Sequence, residues 1–583
     1  MNAVNPETGA TALHGAASLG ALERVKALVG CNADVNATDA NQQTPLALVA
    51  RLTHHTWVGH GKAELGRFLL ENGADPRQPS QDNLLAVWSG PTRRDWPDDL
   101  PHCDLLPDFA LAATLVEYGA DPVAGLGRIK SKMPELHMQR LAAFGAQLLV
   151  GAKGRPLADR IGLLQGIFAK LSALCDIRDR SYLRVTLDRN ALLAGLVGQI
   201  RPETTWVGMK LNVRLGTEDA IDAGGVFREA CSLLADEVNN LDFNLFRAVG
   251  PAPGRLWPSS TSGDYSPGHL ALFSVIGKLI GIVLMSCETL AGVEFAAPLV
   301  RMLLAPTRSG PTRPGDAFAP PLVDELRDVI DPEVWRNQIV GLRQNPEMID
   351  ELGMVFEVER TTLGGAPAPP HPLKPNGGEA AVTAENFEEY ATLLAQYWIA
   401  VQVRPQIAAM CEGLRGVVPA ELLPGMAAAF SAAEFTALLA GQSEIDPADW
   451  EANTRYSGTH DPARHDAGLI TWFWRAVREM PQPRRRQLLQ FCTGTRCPPA
   501  RGFKYLRGQG GEVTPFLLRV EPPPAVGDQR SALPRAATCF NSLDLPDYGS
   551  EAELRAIFVE GWDHFYAHAG GGMSDHVGED GNP

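Results

Sequence analysis

The chain has 583 residues, 45% hydrophobic and 21% charged, with 52 basic against 68 acidic side chains and a formal net charge of −16. Length and composition fit a globular protein of several domains, and the acidic balance repels phosphate backbones, so nucleic acid is not an expected partner. No run reaches the roughly 18 uninterrupted apolar residues of a membrane span; the nearest, 270–287, contains Lys278 and reads as a buried helix.

The N-terminus, "MNAVNPETGATALHG", lacks the basic start and apolar run of a secretory signal. The nine cysteines are odd in number and widely spaced, which suits reduced thiols in the cytoplasm better than a disulfide framework. Cys492 and Cys497 form a lone CxxxxC without a second pair of ligands, so no metal site is expected.

The first element is "TGATALHGAASLGALERVKALVGCNADVNATD", residues 8–39. Thr11 is placed to cap a helix with its hydroxyl. Leu13, Ala16 and Ala17 form one apolar face, Gly20 suits a left-handed helix end, and Val25, Leu28 and Val29 continue the face on a second helix. A second copy starts at Thr44-Pro45-Leu46 and ends in "FLLENGADP"; a degenerate third runs from Asn83 to "LVEYGADP". His54, His55 and His60 fall in an insert of the second copy. The start-to-start shift from Thr11 to Thr44 is the period of the ankyrin repeat, which these segments resemble. The resemblance implies a binding scaffold for a substrate or partner over 5–125, and the helical spacing that follows marks a connector over 126–182.

Further on come "IDAGG" followed by Arg228-Glu229, then Pro375-Asn376-Gly377, Trp472-Phe473-Trp474, "LLQF" and "TGT", Leu533-Pro534, Thr538-Cys539-Phe540-Asn541 and Leu545-Pro546. In this order the segments resemble the HECT domain of ubiquitin-protein ligases over 183 to about 569. The resemblance implies an α+β fold overall, with an α-helical ankyrin solenoid ahead of a bilobal domain. The larger, mostly helical N-lobe spans 183–480 and contains a conjugating-enzyme-binding subdomain at 382–440. A small α/β C-lobe spans 484–569, and 570–583 is a disordered tail.

By the same resemblance Cys539 accepts ubiquitin from a conjugating enzyme as a thioester and passes it to a substrate lysine. No cofactor is needed, since one thiol replaces another at the carbonyl. Thr538, Phe540 and Asn541 support the active-site loop, either by hydrogen bonds around the thioester or by fixing the loop. Asp544 is a candidate base for the lysine amine or a loop-ordering acceptor. Leu422, Leu423, Phe430 and Phe435 are candidates for the conjugating-enzyme surface. Pro481 and Pro483 are candidates for the hinge, where they narrow the swing of the C-lobe or start the next helix. Ala537 stands where many family members have histidine, and the phenylalanine usual near the family's last residues has no counterpart unless Phe565 serves. The alternative to a ligase is a scaffold that keeps the fold without transferring ubiquitin. The expected location is the cytoplasm, either the cell's own or a host's if the protein is an exported bacterial effector.

Overall fold

The computed structural model describes residues 2–51, 62–76, 111, 114, 115, 118, 134–175, 182–200, 210–216, 225–250, 254–265, 268–305, 323–362, 365–458, 468–508, 512–522 and 533–561. The insert with His54, His55 and His60, nearly all of the third repeat, 221–224, Phe565 and the tail lie outside them. Helix and sheet are mixed, and the chain divides into two compact units, Met1–Ile177 with Pro419–Phe430, and Arg178–Val418 with Ser431–Pro583.

In the first unit, α1 (Ala12–Ser18) and α2 (Leu22–Gly30) form one helix pair, and α3 (Pro45–Arg51) and α4 (Lys62–Glu71) form a second stacked on it. Thr11 caps α1 as expected, in a capping box whose reciprocal member is His14. The Nδ1 of His14 accepts the Thr11 N–H at 3.1 Å while Nε2 bonds the Gln43 carbonyl at 2.9 Å. The buried imidazole thereby ties the first repeat to the turn before the second. Gly20 adopts φ 66 at the end of α1, the left-handed geometry for which glycine carries no Cβ penalty.

Two longer helices, α5 (Pro134–Gly151) and α6 (Leu157–Cys175), pack together, and the helix Leu423–Ala429 packs on α5. Close approach depends on small residues: a Cβ on Gly425 would overlap the backbone of Ala146. Segment 419–430 therefore belongs to the core of the first unit, which corrects the expectation that 382–440 forms one separate subdomain.

The second unit starts with two parallel strands, β1 (Tyr182–Leu187) and β2 (Lys210–Leu215), followed by α7 (Gly225–Asn239). Helix α8 (His269–Ser286) is long and apolar enough to cross a membrane, but most of it is buried and it packs along α9 (Arg404–Arg415), as the reading of 270–287 anticipates. After α10 (Ala432–Ala440), Gly441 turns the chain with φ 80 into a short linker, 441–444. From Ile445 to Phe558 one hydrophobic core follows. It joins α11 (Pro447–Ala452), β3 (Thr454–Gly458), α12 (Leu469–Glu479), α13 (Gln482–Thr493), β4 (Phe516–Glu521), β5 (Arg535–Ala537) and β6 (Ser542–Pro546). The sheet order is β3-β4-β6-β5, parallel except for the β5–β6 hairpin. Trp450 anchors this core, stacked on Phe503 with ring centroids 4.9 Å apart and edge-on to Trp474 and Phe516.

This core moves the expected boundary. Residues 478–486, with Pro481 and Pro483, do not join two bodies but lie inside one. Pro481 is the N-cap of α13 and Pro483 stands in its first turn, where a missing N–H is harmless. Arg485 braces the elbow between α12 and α13 by donating to the carbonyls of Val477 at 3.0 Å and Arg478 at 2.7 Å. The prolines start a helix, and the single core begins some forty residues earlier, just after the 441–444 linker.

Candidate active site

The β5–β6 hairpin is closed by the pair Ala537–Ser542, and the residues between them form a single 3-10 turn, Thr538–Phe540. The N–H of Asn541 donates to the carbonyl of Thr538 at 3.3 Å, and Asn541 itself has φ 50, a left-handed conformation that asparagine tolerates better than most residues. Cys539 sits at the apex, half-buried, and Phe540 beside it is 54% exposed.

Asn541 is fully buried, and its side chain organises the surroundings. Nδ2 donates to the carbonyls of Arg507 at 2.7 Å and Thr514 at 2.9 Å, while Oδ1 accepts from Nη1 of Arg228 at 2.8 Å. Arg228 reaches across from α7, outside the Ile445–Phe558 core, and is only 2% exposed. The same Nη1 also faces the carbonyls of Thr493 at 2.8 Å and Arg507 at 2.9 Å. Thr493 is the last residue of α13, where carbonyls lack intrahelical partners and a cation is favoured. One turn along α7, Ser232 Oγ donates to the carbonyl of Gly494 at 3.1 Å, and Asp236 pairs with Arg496.

The first residue of α7 completes the contact. A Cβ built on Gly225 would lie 2.6 Å from Thr538 Oγ1 and 3.0 Å from Cys539 Sγ. Glycine is what lets the helix start against the cysteine. Thr538 thus turns its hydroxyl to α7 and uses its carbonyl to close the turn.

Among the other described cysteines, Cys31 is exposed, Cys287 is half-buried like Cys539, and four are buried. Burial pushes the Cys411 thiol up to about 11, Cys497 upward and Cys492 well above its usual value. Cys231 is buried on α7. Among the described residues no cluster of His, Cys, Asp and Glu is arranged for a metal ion.

Asp544 is not brought to Cys539. Strand register sets it opposite Arg535 and Arg519, and its carboxylate pairs with Arg519 at 3.2 Å. It lies two positions up the strand from the pair that closes the turn, roughly 7 Å away at the usual rise. Burial raises its pKa, against the pull of Arg519. Its contacts fit strand ordering, the other role open to it in the sequence. Leu422, Leu423, Phe430 and Phe435 are all buried, so none offers a docking surface. Phe430 lies under the Arg160 guanidinium, 5.7 Å from its ring centroid. Apolar periodicity marks residues that leave water, and these four have left it. The residues that sequence reasoning missed as site residues are Gly225, Arg228 and Ser232. Their one signal was the glycine pair followed by Arg-Glu, and nothing in it names Asn541 as the target.

A family model described as HECT-domain (ubiquitin-transferase) matches residues 232–559, more than half of the chain, and an ankyrin repeat model matches residues 8–40. The matched span contains Cys539 and Asn541; Gly225 and Arg228 lie just ahead of it. E3 ubiquitin-protein ligase Smurf1 of Drosophila melanogaster is 30% identical over 393 residues, 67% of this chain and 34% of that protein. E3 ubiquitin-protein ligase ptr1 of Schizosaccharomyces pombe is 30% identical over 352 residues, 60% of this chain and 10% of that protein. Nedd-4 of Drosophila melanogaster, also an E3 ubiquitin-protein ligase, is 30% identical over 360 residues, 61% of this chain and 32% of that protein. The chain spans about a third or less of the length of these relatives.

Glu288 stands 3.9 Å from Arg228 Nε, and burial raises its carboxyl from 4.5 to about 7, opposed by Arg228 and Arg507. Between those values the folded protein holds a proton that the unfolded chain has released. That contribution to stability is complete below about 4.5 and is lost as pH rises to about 7. Relative to Glu288→Gln, the wild type should therefore lose stability across this range. Urea midpoints of the two proteins measured at matched pH check this, and a constant difference between them would show that Glu288 does not titrate there.

Proposed function

The chain belongs to the HECT ubiquitin-transferase family, and from that premise we propose that Cys539 takes ubiquitin from a conjugating enzyme as a thioester and delivers it to a lysine. The observation that carries this reading is a half-buried thiol at the apex of a turn built around a buried asparagine and arginine, within the matched span. In the first step Cys539 Sγ attacks the donor thioester carbon; a C–S bond forms, and the donor's own cysteine leaves as thiolate. Both bonds are thioesters, so the exchange is nearly balanced and needs no metal or cofactor. In the second step a lysine amine attacks the same carbon, an amide forms, and Cys539 leaves as thiolate while the amine proton passes to water.

The single core from Ile445 to Phe558 supports a C-lobe that starts at Ile445 and an N-lobe that ends at the 441–444 linker. Docking of the conjugating enzyme then falls to exposed apolar side chains of the N-lobe. Val334, Met348, Leu352 and Val401 are 38% to 54% exposed, and a transient partner needs only one or two such anchors. The repeats at the N-terminus recruit the substrate or a partner protein, a reading supported by the ankyrin match. The reaction belongs in a reducing cytoplasm, the cell's own or a host's, where Cys539 stays a free thiol.

A scaffold without transfer is the second reading, and the cysteine decides between the two. Incubated with ubiquitin-loaded conjugating enzyme, the wild type should form an adduct that reductant cleaves. Cys539→Ser should give an alkali-labile, reductant-resistant adduct or none, while Cys492→Ser and Cys497→Ser keep the reducible one. Undiminished thioester on Cys539→Ala would refute the assignment. For docking, Met348→Asp and Leu352→Asp together should slow loading by about tenfold or more, with discharge of already loaded protein unaffected; an unchanged loading rate would remove these residues from the surface.

A further inference from the structure

The contact between α7 and the Cys539 turn does more than support the C-terminal core. Three carbonyl or amide oxygens from well-separated stretches, at Thr493, Arg507 and Asn541, converge on one nitrogen of Arg228. That convergence exists only while α7 and the C-terminal core are docked. It acts on the cysteine through Asn541, whose left-handed backbone closes the Cys539 turn. Gly225 is the matching relief on α7, since any side chain there would strike Thr538 and Cys539.

We propose that Arg228 is a positioning residue for the discharge step: through Asn541 it holds Cys539 in the docked pose, and ubiquitin leaves from this pose rather than arriving in it. The inference rests on the reading of Cys539 as the ubiquitin acceptor. In the docked pose Sγ has the backbone of α7 against one side. A donor thioester carried on another folded protein brings that protein's surface with it and meets α7 before it meets Sγ. A lysine approaches as a single flexible stem with a small head, and that stem reaches a half-buried thioester. Loading therefore calls for Arg228 to release Asn541 and the turn to move away, and discharge calls for both to return. When the lysine nitrogen bonds to the carbonyl carbon, the C–S bond breaks with its electron pair on Cys539 Sγ, and the amine proton goes to water. Arg228 touches none of these atoms.

The test separates the two half-reactions in single-turnover experiments on the full chain, with free lysine as acceptor. Arg228→Ala should load at close to the wild-type rate and discharge slower by about tenfold or more, the scale of a lost charge-assisted bond. The loss should fall on the maximal discharge rate and not on the lysine concentration needed for half of it. Arg228→Lys keeps the charge without the planar fork and should restore part of the rate. Gly225→Ala leaves Arg228 intact but wedges α7 off the turn, and should show the same split. If Arg228→Ala does not fold, the other two variants carry the test. Loading and discharge falling together, faster loading with unchanged discharge, or no change in either would overturn the proposal. A wild type that forms no thioester would instead overturn the reading of Cys539 on which the proposal rests.

Discussion

The structure around the Cys539 turn depends on a buried guanidinium. Arg228 is withdrawn from water, and removing such a charge from water is costly unless its donors are used. Its partners are supplied by the end of α13, by Arg507 and by Asn541. A hydrogen bond to a charged group contributes about 1.5–3 kcal/mol, and the oxygens it satisfies are themselves buried. The same contact decides where Cys539 stands, because the turn's shape depends on Asn541 and Gly225 lies against Thr538 and Cys539. Position of the thiol and docking of the two bodies are thus one constraint.

The proposed movement between poses has a place to occur. The linker 441–444 borders a cavity of about 440 Å³, also lined by Phe295, Ala433 and Ala437. Gly441, at φ 80, is the residue best able to take a new torsion there. On its other side the linker is tied by Gln442, whose N–H donates to the Pro498 carbonyl at 2.9 Å and whose Nε2 donates to the Ala500 carbonyl at 3.4 Å, and by Arg486, which donates to the Ser443 carbonyl. By contrast Pro481 and Pro483 stand exposed at the start of α13, inside the stretch spanned by one core.

Much of this was legible in the sequence, for reasons that differ by residue. Thr11, Gly20 and Pro45 act locally, through a side-chain cap, a left-handed turn and a fixed φ, so their roles at helix ends follow from residue type and spacing. Cys539 was singled out by its neighbours, Thr538, Phe540 and Asn541, and the structure gathers these four at one turn. Leu422, Leu423, Phe430 and Phe435 were misread because periodicity separates apolar from polar faces but cannot say which apolar face lies against protein. Pro481 and Pro483 drew attention because a Pro-Gln-Pro sequence looks like a joint, whereas in the fold they start α13, and the linker proposed in their place, 441–444, is marked only by a helix-ending glycine. The part played by Arg228 was illegible because its partner lies 313 residues away. Asp544 drew attention by its distance in sequence from Cys539, and strand register carries its side chain to Arg519 instead.

The dependence of the Cys539 turn on Arg228 is tested most directly by a double-mutant cycle between Arg228→Ala and Asn541→Ala, read as amide hydrogen exchange across 539–543. Opening free energies from wild type, the two single variants and the double variant yield the coupling between the two side chains. A coupling of about 1.5–3 kcal/mol is expected for a buried, charge-assisted pair. Additivity to within about 0.5 kcal/mol would contradict the account, for it would mean that the turn keeps its shape without the arginine.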